Sequence, residues 1–125
     1  MSYDIRIVKK RTGETVNFRY KHAISGGTYA LGGTPEAWLN VTYNYSDTFE
    51  RMFGEQGVRS LYGKPLSVAV EMLQKAIDSI GDAEPSDDYW DATDGNAKQA
   101  LKDLLMLAEL ALIENEGEDM SLEGD

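Results

Sequence analysis

The chain contains no cysteine, a single histidine and only three prolines among its 125 residues. Without cysteine there is no disulfide framework, no thiolate zinc site and no thiol nucleophile. With one histidine, a transition-metal site would need carboxylates almost alone, and no Glu-x-x-His pair is present. The expectation is therefore no metal and no cofactor. Long hydrophobic runs are also missing. The longest apolar stretch, Leu104 to Ile113, carries Glu109 and falls far short of the roughly 20 residues of a membrane span. The apolar positions between Met1 and Lys10 are interrupted by Asp4 and Arg6, unlike a signal peptide. These features point to a cytoplasmic protein that does not enter a membrane.

What is present fits an ordinary folded domain: 42% hydrophobic and 27% charged residues, in a chain long enough for one core. The charge is unevenly distributed. Residues 1–63 carry a net +2, and residues 64–125 a net −12, which together give the chain's −10. An acidic half of this size repels phosphate backbones, so direct nucleic-acid binding is not expected. It is attracted instead to basic protein surfaces, the nucleic-acid grooves of other proteins among them. A plain solvated face is the other reading of the same charge.

Period-two alternation predicts strands at Tyr3-Ile5-Ile7 and Val16-Phe18-Tyr20, joined as a hairpin through Gly13. Trp38 to Tyr45, rich in β-branched and aromatic residues, predicts another strand. Leu39, Val41, Tyr43 and Tyr45 would share one face of it, and Asn40, Thr42 and Asn44 the other. Gly32-Gly33-Thr34-Pro35 is then the turn that joins it to a strand at Thr28–Leu31, with a helix from Pro35 as the competing reading. Asp47 with Glu50 predicts the cap of a short helix ended by Gly54. Pro65 opens a helix whose apolar stripe runs from Leu66 to Ile80 before Gly81. Asp82 to Thr93 reads as an acidic connection with Tyr89 and Trp90 tucked onto the core. A last helix runs from about Asp94 to Asn115. The expected fold is α+β: about four antiparallel strands against two long helices and one short one, a single domain over 1–115 with an acidic mobile tail over 116–125.

The last helix is apolar beyond one core face. Met106, Leu110 and Ile113 form a second stripe, which predicts self-association as a homodimer through this helix.

Familiar catalytic motifs fail on their details. Gly57 to Pro65 has five residues between its glycines, and a proline where a phosphate loop needs Ser or Thr. Ser25 lies after His22, the wrong order for a nucleophile elbow. What remains is a glycine-, tyrosine- and asparagine-rich region from His22 to Lys64. Amides of Gly26, Gly27, Gly32 and Gly33, beside the rings of Tyr29 and Trp38 and the Arg59 guanidinium, suit an anionic or nucleotide-like ligand. Asn40, Thr42 and Asn44 would line that site, with His22 at the strand end. The competing reading is a twisted hairpin whose polar strand face is satisfied within the fold.

The run from Gly26 to Ser46, GGTYALGGTPEAWLNVTYNYS, together with the MSYDI start, resembles a family of small phage and bacterial proteins. The similarity extends through Phe53-Gly54, Gly57-Val58-Arg59, Tyr62-Gly63 and Tyr89-Trp90 to Gly95-Asn96-Ala97, which is most of the chain. The resemblance implies a phage or mobile-element setting, hence the host cytoplasm, and carries no activity with it. The leading expectation is a non-enzymatic binding protein, an inhibitor in the sense that it occupies a partner with a basic surface through its acidic helical half. The alternative is a small-ligand or nucleotide-binding domain using residues 22–64. An enzyme of unknown class is the third reading, for which no catalytic residues can be named.

Overall fold

A computed structural model describes residues 1–24 and 32–125. The expected α+β architecture is present. Strand β1 (Ser2–Lys9) lies at the centre of a three-stranded antiparallel sheet, between β4 (Trp38–Thr42) and β5 (Met120–Gly124). A second, two-stranded sheet pairs β2 (Asn17–His22) with β3 (Thr34–Glu36). Helices α1 (Ser46–Phe53), α2 (Leu66–Ile80) and α3 (Asp94–Glu114) complete the fold.

The register of the central sheet accounts for its two faces. Tyr3 sits opposite Val41, Ile5 opposite Leu39 and Ile7 opposite Leu122, and all six are buried. Side chains alternate across a strand, so the intervening pairs, Asp4 with Asn40 and Arg6 with both Trp38 and Glu123, fall on the other face. Two helices meet the apolar face: α2 buries Leu66, Ala69, Leu73 and Ala76, and α3 buries Leu101, Leu104, Leu107 and Ala108. The helix boundaries follow the predicted signals. Pro65 immediately precedes α2, Gly81 closes it, and Thr93 caps α3 by accepting from the Asn96 amide at 3.1 Å.

Five expectations are corrected. The Val16–Tyr20 strand does not run on as a hairpin partner of β1. Contact is limited to the corner, where the Lys9 amide donates to Glu14 and the Val16 amide to Ile7. Beyond Val16 the chain diverges and pairs with β3 instead. Thr34 and Pro35, expected in a turn, belong to that strand; Gly32 and Gly33 lead into it with positive φ. At Gly33 a Cβ would stand 2.8 Å from the His22 carbonyl oxygen, so the approach of β2 requires glycine. The predicted partner strand Thr28–Leu31 lies outside the described residues.

The strand from Trp38 ends at Thr42. Tyr43 to Tyr45 form a 3₁₀ turn capped by the Thr42 hydroxyl, which accepts from the Asn44 amide, so Tyr43 and Tyr45 do not continue the Leu39–Val41 face. Helix α1 starts at Ser46, with Asp47 in its first turn rather than as its cap.

The acidic tail contains a strand. Met120, Ser121 and Leu122 are buried, and β5 closes the open edge of β1 over five paired positions. Burying a leucine such as Leu122 contributes roughly 1.5–3 kcal/mol toward holding the strand, while Glu123 stays exposed. Glu118 and Glu123 then pair with Arg11 and Arg6.

Candidate functional site

From Asp82 to Asp94 the chain carries six carboxylates and no lysine or arginine. Like charges at this density favour an expanded loop, yet the connection has a defined path, and Asn96 supplies much of the reason. Its side chain, 5% exposed, accepts from the Ser86 amide at 2.9 Å. Its Nδ2 group donates to the Ser86 hydroxyl at 3.1 Å and to the carbonyls of Asp88 at 2.8 Å and Asp91 at 3.0 Å. A neutral amide thus gathers the backbone of a charged loop, while the carboxylates of Asp87, Asp88 and Asp91 belong to exposed residues. Gly95 is needed beside it: a Cβ there would lie 1.9 Å from the Glu84 carbonyl oxygen, so the connection crosses directly over the start of α3.

The other anchors come from β4 and the turn after it. The Thr42 amide donates to the Tyr89 hydroxyl at 2.9 Å, and Asn44 Nδ2 donates to the Trp90 carbonyl at 2.9 Å. The Tyr45 hydroxyl donates to the Tyr89 carbonyl. Burial raises the hydroxyl pKa of both Tyr45 and Tyr89. Trp90 is 57% exposed, with its ring edge-on to Tyr89 at 4.9 Å, so its indole stands in solvent among the acids. Tyr89 is tucked onto the core as expected; Trp90 is not.

Asp94, at the start of α3, accepts from Thr48 and pairs with Arg51, and these contacts lower its pKa, the Thr48 hydrogen bond first.

Between the connection and α3 lies a cleft of about 220 Å³ lined by Tyr45, Tyr89, Pro85, Ala100, Gln99 and Asp103, with Ser86, Asp87 and Asn96 at its polar side. Asp103 is half-buried there. Burial raises its pKa, partly opposed by the Gln99 amide, which donates to Oδ1 at 3.1 Å.

Among the described residues, those predicted as a site are not brought together. Asn40 lies on the outer sheet face, donating to Ser2 at 2.8 Å and to Asp4 at 3.1 Å, and Trp38 donates to the same Asp4 oxygen. Thr42 is buried and Asn44 is bonded to the connection. His22 belongs to the second sheet, where Nε2 meets the Glu36 carbonyl at 2.7 Å. Arg59 is 5.0 Å from the centroid of the Tyr3 ring and 5.6 Å from that of Tyr43, and donates to the Asp125 backbone oxygen at 2.8 Å. Gly26, Gly27 and Tyr29 lie outside the described residues. On α3, Met106 and Ile113 are 53% and 76% exposed, and Leu110 is half-buried.

Sequence reasoning missed Asp103, Gln99 and Asn96. Asp103 stands beside Lys102 between Leu101 and Leu104, an ordinary charged pair on an amphipathic helix, so no local signal marked it. Among the described residues, no three Asp, Glu, His or Cys side chains are grouped to hold a metal, and no helix is long and apolar enough to cross a membrane. No protein-family model, curated protein or solved structure matches this chain.

Proposed function

We propose that the protein is a non-enzymatic binding protein of phage type, acting in a host cytoplasm by docking its acidic connection against a basic protein surface. The observation that carries this reading is Trp90, exposed at the centre of a carboxylate-rich connection that the fold holds in place. Loops of this charge are commonly mobile and solvating; this one is tied at Ser86, Asp88, Tyr89, Trp90 and Asp91. A pre-ordered loop loses less conformational entropy on binding, and a tryptophan is a frequent energetic centre of protein interfaces. Carboxylates around it steer a cationic partner and resemble the charge of a nucleic-acid backbone. The second reading, a ligand site over residues 22–64, has no comparable support, because Thr42, Asn44 and His22 are bonded within the fold.

The test is capture from host extract with the wild type, with Trp90→Ala and with Asp87, Asp88 and Asp91 changed together to Asn. The expected result is a basic protein retained by the wild type, released by added DNA and lost from both variants. A captured protein indifferent to these changes would remove the docking surface.

A further inference from the structure

The cleft beside Trp90 has properties that the exposed connection lacks. Its volume, about 220 Å³, lies below the roughly 300–1,000 Å³ of ordinary small-molecule pockets, so it suits one side chain better than a nucleotide. Its accessible apolar lining is Tyr89 and Pro85, above the buried Tyr45 and Ala100. Its charged lining is Asp87 and Asp103 alone; Lys98 and Lys102 line neighbouring grooves. The other polar groups have internal partners: Asn96 is bonded to the connection, and the Ser86 hydroxyl donates to Asp88 and accepts from Asn96. Asp103 accepts one hydrogen bond among the described residues, from Gln99 at Oδ1.

We propose that this cleft is a socket for one arginine side chain of the docking partner, with the guanidinium against Tyr89 and Pro85 and paired to Asp103. The proposal rests on the docking reading and names the group its site takes. Arginine fits better than lysine for a physical reason. A guanidinium is flat and weakly hydrated, packs against aromatic rings and donates sideways to a carboxylate. A lysine ammonium would give up three strong water contacts for fewer acceptors on an apolar wall. Asp103 is the group that gains most. Burial removes part of its hydration without a cation to replace it, and a guanidinium supplies that counter-charge. Asp87, on the exposed connection, adds attraction from the rim.

The probe is N-acetylarginine methylamide, titrated into isotope-labelled protein and followed by amide NMR shifts. The corresponding lysine and citrulline derivatives serve as comparisons; citrulline keeps the shape without the charge. The expected result is saturable shifts at Tyr89, Gln99 and Asp103 with the arginine probe, weaker shifts with lysine and none with citrulline. Asp103→Asn keeps the acceptor for Gln99 and should weaken arginine binding about tenfold or more. Asp87→Asn, at an exposed position, should weaken it less. Equal shifts with citrulline, or arginine binding unchanged in Asp103→Asn, would overturn the socket. The two readings separate cleanly. Capture that needs Trp90 and the exposed carboxylates but not Asp103 removes the socket and leaves the docking surface. Arginine binding in the cleft, with capture indifferent to Trp90, keeps the socket and removes the docking surface.

Discussion

The polar ladder that begins on β4 and the acidic connection before α3 both depart from what a core requires, but the fold uses them in opposite ways. Asn40, Thr42 and Asn44 turn inward, chemically speaking: their partners are Ser2 and Asp4, the backbone of the following turn, and the Trp90 carbonyl. The connection turns outward: its own backbone is held by Asn96 and Asp87, Asp88 and Asp91 are exposed, although Asp88 and Asp91 each also accept a bond from within the loop, from the Trp90 amide and the Ser86 hydroxyl. The two regions are also joined. Thr42 and Asn44 grip Tyr89 and Trp90, so part of the ladder that resembled a ligand site helps hold the proposed one. A concentration of polar residues therefore marks a place where hydrogen bonds are needed, and only geometry tells whether their partner is the chain itself or something else.

The largest effect that bears on this contrast is expected at Asn96. Asn96→Ala removes one acceptor and two donors from a buried network and should destabilise by about 3 kcal/mol, within the usual penalty for unsatisfied groups. Asn40→Ala, on the half-solvated outer face, should cost below about 1 kcal/mol. Urea unfolding of the two variants measures both. Equal losses would mean that the ladder is held as tightly as the connection, and the contrast would fail.

A smaller effect sharpens the account of Asp103. Its carboxyl has a folded-state pKa raised above the unfolded value by burial, so the charged form opposes folding. The penalty is absent below the unfolded carboxyl pKa of about 3.9, sets in as pH rises from there through the folded pKa, and is complete above it. Asp103→Asn should therefore be more stable than the wild type at pH 7, with the difference closing near pH 3. Asp87, Tyr45 and Tyr89 line the same cleft and are unchanged in both proteins, so the difference isolates Asp103. A variant less stable at pH 7 would show that the carboxylate is favourably solvated, and the need for an external cation would vanish.

The smallest effect concerns the back of α3. Met106 and Ile113 leave apolar surface in water, and association through them would place the stripe between two copies. Sedimentation at micromolar concentration is expected to show a dimer that Leu110→Glu converts to a folded monomer. A wild-type monomer would leave these side chains as isolated surface residues, which are common on folded proteins.

Much of the fold is legible in the sequence. The boundaries of α2 and α3 and the apolar faces of β1 and β4 are local, written in prolines, glycines and periods of two and 3.6. Strand β5 was not, since Met120 and Leu122 alternate within a run of acids and their burial depends on β1, more than a hundred residues away. The same distinction governs the site. Sequence alone determined that residues 82–94 are acidic and aromatic, because composition needs no partner to be read. Only the tertiary structure decided that Trp90 stays in water, that Asp103 is half-buried beside Tyr89, and that Thr42 and Asn44 are already bonded. Those facts depend on which surfaces meet when β4, the connection and α3 pack, and side-chain contacts between elements dozens of residues apart leave no local pattern in the chain.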